Sequence, residues 1–166
     1  MYAFSSLMEV ACLTIAAILL LWVAVNDYRH FVIPNKTVAA ISLLYPCYVL
    51  AAGLGADPSG WLGGIATGGA VLLVGAGLFA TGAFGGGDAK LIAAVALWAG
   101  PSLLVQFLLI TAISGGVLAA AFLIAKSVAK PAGDSAVFEG GSADNIPYGV
   151  AISTGGLFVC LQLLAG

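Results

Sequence analysis

From Leu91 to Ala125 the sequence carries no charged residue, and no surface helix of a water-soluble protein can be apolar all round for that length. Crossing a bilayer takes about 20 apolar residues, so this stretch is too long for one ordinary span. Similar runs occupy about 8–26, 37–54 and 61–83 before it and 148–165 after it, with the long stretch divisible into about 89–100 and 102–125. The runs are continuously apolar, whereas barrel strands alternate and cross in about ten residues. The expected fold is therefore all-α, a polytopic membrane protein of about six transmembrane helices. Composition agrees: 62% of the 166 residues are hydrophobic and 7% charged, against roughly 25% charged in soluble domains. That length holds a single integral-membrane domain over residues 1–166 and leaves no room for a separate soluble one.

The long stretch divides at Gly100 and Pro101, which predict a tight turn between two helices. The first of these would then have about 14 residues and reach only about 21 Å, leaving its glycine-rich start below the membrane surface. Asp88 is expected in a watered pocket there, because irregular backbone at depth is tolerated only where it lines a cavity or is buried in protein. The first apolar run lacks a basic flank and a cleavage pattern, so it reads as a retained helix. Arg29 and Lys36 fall in the first connection, Lys90 after the third run, and Lys126 and Lys130 after the fifth. Those alternate connections share one face, which the positive-inside rule makes cytoplasmic, with both termini outside. Gly64 and Gly68, four apart in the third run, suit close helix packing. Residues 131–145, with Asp134, Glu139 and Asp144 and no base, read as a solvated loop leading through Pro147 into the last helix.

Several chemistries are excluded. A net charge of −2 gives no footprint for nucleic acid. Cys12, Cys47 and Cys160 lie apart in apolar runs and read as packing residues, without a CxxC pair to hold a metal. With His30 as the single histidine there is no HExxH site, and FGGGDAKL lacks the order of a phosphate loop. No GxSxG elbow is present to activate a serine. His30, beside Arg29, is expected at the solvated or headgroup level.

What remains are two acids at span edges on one side of the membrane: Asp27 in NDYRHFVIPN and Asp88 in FGGGDAKL. Acidic residues there point to function, and two together could form a carboxylate pair in which like charges at close range share one proton. Asp88, at a helix start two residues from Lys90, is expected to be the ionised member. Gly85, Gly86 and Gly87 would let an extended peptide approach it. The plainer alternatives stay open: Asp27 in an ordinary interfacial loop, Asp88 as a helix N-cap, and the glycines as a simple loop.

Three stretches in order resemble one family. GGGD at Gly85–Asp88 is similar to the GxGD signature of membrane aspartic peptidases. DYRHFVIPN, with Asp27, Arg29, Ile33, Pro34 and Asn35, resembles the first-aspartate motif of the prepilin peptidases, and IPYGVAIS from Ile146 resembles the start of their last helix. The resemblance implies an endopeptidase of the bacterial inner membrane, needing no metal or other cofactor. It would remove the basic leader of type IV prepilins and pseudopilins at the cytoplasmic face. Asp27 and Asp88 would be the catalytic pair, with Gly85, Gly86, Gly87, Lys90, Arg29, Pro34 and Asn35 supporting substrate approach. The cysteine-paired segment of larger members is not seen, so the chain looks like the small tight-adherence (Flp pilus) type, and N-methylation is not expected. Partners implied are the prepilin, membrane lipid and the pilus secretion machinery. Lateral access from the membrane would bring the apolar helix of a prepilin to both aspartates, and the acidic loop could attract its leader. A small transporter or channel using the two aspartates to bind a proton or cation is the alternative, and a non-catalytic assembly subunit a third reading.

Overall fold

The computed structural model describes residues 2–52, 58–128 and 146–165. They form five helices: α1 (Tyr2–His30), α2 (Asn35–Ala52), α3 (Pro58–Ala80), α4 (Gly86–Val128) and α5 (Tyr148–Ala165). Among the described residues there is no strand. The protein is an all-α, multi-pass membrane protein, with Leu7–His30, Gly60–Ala80, Gly86–Ala125 and Tyr148–Ala165 long and apolar enough to cross a bilayer. Its outer faces carry the side chains a lipid environment calls for, among them Leu73, Val74, Ile113 and Val117, each well exposed.

The expected count of six spans is not matched: the described residues form five helices, four of them candidate spans. Two causes are visible. The α2 segment opens on Asn35 and Lys36 and contains Pro46, which dilutes its apolar character. The expected division at Gly100 appears as a reversal inside α4 rather than as a gap. Gly100 has φ 56° and ψ −172°, a conformation open to glycine and strained for other residues. Contacts on either side show what it does. Ahead of it, Asp88 lies by Tyr148 in one cavity and Val95 packs on Gly156, so this half runs parallel to α5. Beyond it, Phe107 and Thr111 meet Gly155, and Gly115 meets Ala151 and Tyr148, so the second half runs back antiparallel.

The first half of α4 is the centre of the molecule. Ala89, Leu91, Ala93, Ala94, Val95, Ala96, Trp98 and Ala99 are all buried, and their mostly small side chains let neighbouring helices come close. Gly68 of α3 meets Ala93 and Leu97, and Gly75 meets Ala89; the expected packing use of Gly64 and Gly68 is thus realised against α4. From the other side, Trp98 Nε1 donates to the carbonyl of Ile41 at 3.0 Å, while Tyr45 meets the Trp98 ring edge-on at 5.6 Å. Tyr45 also donates to the carbonyl of Trp61 at 3.2 Å, which ties α2 to α3. Cys12 and Cys160 are buried packing residues, but Cys47 is exposed. Asp57, Lys130 and the acidic segment 131–145 lie outside the described residues.

Candidate active site

Asp27 sits three residues before the end of α1 and is only 5% exposed. An isolated carboxylate so placed in an apolar surround is costly unless hydrogen-bonded. Its partner is the start of α5: the Gly149 N–H donates to Asp27 Oδ2 at 2.7 Å. A helix N-terminus has unsatisfied N–H groups and a partial positive charge, so it suits a carboxylate. The approach is close enough that a Cβ on Gly149 would lie 2.7 to 3.0 Å from Oδ2, Cγ and Cβ of Asp27. Only a glycine allows this contact without displacing the acid.

Asp88 lies in the first turn of α4. It is the third residue of the helix rather than its N-cap, and Gly85 takes the position before the helix, its carbonyl accepting from Ala89 N–H at 3.0 Å. Asp88 Oδ2 folds back over Gly85, where an added Cβ would lie 2.5 Å away. Gly87 packs on Ile33, leaving 3.2 Å to a would-be Cβ, and so draws the 31–34 connection onto the start of α4. That connection leaves α1 through Phe31, which has φ 53°, a left-handed conformation costing a non-glycine residue about 1–2 kcal/mol. Asn26 Nδ2, donating to the carbonyl of Val32 at 2.6 Å, holds the turn.

These elements enclose one open cavity of about 550 Å³. Asp27 and Asp88 both line it, with Gly85, Gly86, Gly87, Lys90 and Asn35, and with Phe31 and Tyr148. Lys90 Nζ donates to Asn35 Oδ1 at 3.1 Å, joining the starts of α2 and α4 across the rim. Each aspartate therefore meets a helix N-terminus, and the partial positive charge expected to favour an ionised Asp88 acts on Asp27 as well. The arrangement offers two carboxylates, a flexible glycine rim and one amine to whatever occupies the cavity.

Two residues expected at the site are elsewhere. Arg29 is exposed and does not line the cavity, because two helical residues beyond Asp27 correspond to about 200° of rotation. Pro34 is also outside the lining; its carbonyl accepts from the N–H groups of Thr37 and Val38 at 3.0 and 3.2 Å and so starts α2. Gly149, Phe31 and Tyr148 had been given no role from sequence. Gly149 lies inside IPYG, where a glycine directly after a helix-opening Pro-Tyr was the available signal.

The sequence profile of the type IV leader peptidase family matches residues 14–120. The chain belongs to that family. No curated protein and no solved structure shows a significant match to it. Membership in the type IV leader peptidase family makes the protein a membrane peptidase of the prepilin-processing kind, and prepilins are the substrates the family implies. The matched residues include Asp27, Asp88 and all three rim glycines but end before α5. In this leader peptidase the helix beyond the match supplies the donor to Asp27.

Proposed function

We propose that the protein is an aspartic endopeptidase that removes the leader of Flp-type prepilins at the cytoplasmic face of the inner membrane. The observation that carries this reading is the convergence of Asp27, from the end of α1, and Asp88, from the start of α4, on one cavity rimmed by three glycines. In the proposed reaction the pair holds one proton between its carboxyls and titrates as a unit. The protonated carboxyl donates to the scissile carbonyl oxygen while the ionised one takes a proton from water, whose oxygen attacks the carbonyl carbon. Collapse of the tetrahedral species returns a proton to the leaving amine and frees the leader. Gly85 and Gly86 give an extended peptide room beside Asp88, and Lys90 and Asn35 hold the rim together. The reaction ends at leader removal, with no methyl transfer.

A direct test mixes the full-length protein in lipid vesicles with a Flp-type prepilin and follows the product by mass. Loss of the leader, with no added methyl group, is the expected result; an uncleaved prepilin under conditions where the protein is folded would refute the reading.

The cytoplasmic placement rests on the basic residues. Arg29 ends α1, Lys36 opens α2 and Lys90 stands beside the cavity, so all three lie at the cavity end of the bundle. With the three native cysteines replaced, a cysteine at position 29 should resist a membrane-impermeant thiol reagent in intact cells and react in inverted vesicles. Labelling of intact cells would turn the site to the opposite face.

A further inference from the structure

Asp27 and Asp88 stand on helices with little close backbone contact between them: α1 packs chiefly on α2 and α5, and α4 on α3, α5 and α2. In the proposed reaction the two acids share a proton, which requires a fixed separation. Intermediaries have to set it. On one side α5 does so, through the Gly149 N–H at Asp27 and through Gly156, which meets both Leu20 of α1 and Val95 of α4. On the other side lies the connection 31–34 between α1 and α2.

That connection is fastened to both acid-bearing helices. Toward α1, the Phe31 N–H donates to the carbonyl of Asp27 itself at 2.8 Å, and Asn26 Nδ2 donates to the carbonyl of Val32 at 2.6 Å. Toward α4, Ile33 lies against Gly87, and just past the connection Asn35 Oδ1 accepts from Lys90 Nζ. Asn26 and Gly87 each directly precede one of the acids. The path from Asn26 to Val32 and from Ile33 to Gly87 is therefore a short mechanical link between them.

The link is also under strain. Phe31, at φ 53°, is the one non-glycine residue with a positive φ among the described residues. A side chain keeps that conformation only where its surroundings hold it there. Phe31 does not join the apolar core among the described residues, which leaves the holding to the hydrogen bonds on either side of it.

We infer that Asn26 is a positioning residue: by holding Val32 it keeps Phe31 in its left-handed conformation and Ile33 on Gly87, and so sets the separation between Asp27 and Asp88. The inference rests on the proposed peptidase reaction, in which both acids act together. Asn26 does not line the cavity, so it acts through the connection.

The test is Asn26→Leu, which keeps nearly the outline of asparagine and removes the amide donor; Asn26→Ala, which adds no bulk, repeats it. Thr14→Val is the control, removing a side-chain hydrogen bond to Val10 about three turns away on the same helix. Prepilin cleavage is followed with the full-length protein in lipid. Both Asn26 variants should lower kcat about tenfold with KM near that of the parent, and Thr14→Val should change neither. Asn26→Leu is then combined with Phe31→Gly. Glycine takes φ 53° without strain, so the connection no longer depends on the tie. Relative to Phe31→Gly alone, the added Asn26→Leu should cost less than about twofold in kcat. Parent-level kcat in both Asn26 variants, a loss confined to KM, the same tenfold loss with and without Phe31→Gly, or no cleavage by Phe31→Gly alone would each overturn the inference. A parent protein that leaves the prepilin uncleaved would instead remove the peptidase reading.

Discussion

Asp27→Asn and Asp88→Asn should each cut leader removal by at least about a thousandfold while leaving the protein inserted and its thermal unfolding in detergent nearly unchanged. Asn has almost the outline of Asp, so the packing around both positions survives, but it can neither ionise nor pass a proton in this role. The double variant should be little worse than either single one, because in the proposed mechanism the two acids work as one unit. Glu9→Gln, about five turns along α1 from Asp27, is the matching control and should keep its activity. Glutamate at either site keeps the charge but moves the carboxyl by one methylene, and a displacement near 1 Å can cost about a hundredfold. Normal processing by either folded Asn variant would end the aspartyl mechanism.

Gly149→Ala should lose about a hundredfold in kcat with little change in KM. The added methyl would stand 2.7 to 3.0 Å from three atoms of Asp27. None of the three is the loose end of a long side chain, so the acid itself has to shift, by a distance that catalysis does not tolerate. In the proposed mechanism Gly149 is a positioning residue, acting through the N–H that it donates to Asp27. The split between kcat and KM is what separates this role from a general loosening of the fold, which would also weaken substrate binding and lower the unfolding temperature. Unchanged kcat in Gly149→Ala would show that the donor from α5 is dispensable.

The parts of this site that could be read from sequence were those carried by side-chain chemistry. Two acids at the edges of long apolar runs mark themselves, because a carboxylate near lipid is expensive enough to demand a reason, and both stand at one cavity. The turn at Gly100 was legible for a similar reason, since Gly-Pro is poor helix. The parts that could not be read are those the backbone supplies. A main-chain N–H looks the same at every residue, so nothing in the sequence marked Gly149 as the partner of an acid 122 positions earlier. Arg29 was misplaced for a geometric reason: closeness along a helix is not closeness in space, and two residues put it on the far side from Asp27. The count of six spans is not matched because the two helices expected on either side of Gly100 join in one element, α4, and because α2 carries its polar residues at one end.

The bond between Gly149 and Asp27 also has a consequence in time. Asp27 belongs to the first of the described helices and Gly149 to the last. At about 5–20 residues per second, that separation corresponds to a delay on the order of ten seconds during which the first acid exists without its donor. The nascent protein thus carries both carboxylates before Asp27 has its backbone donor, and α5, made after the other described helices, is the one that completes the cavity.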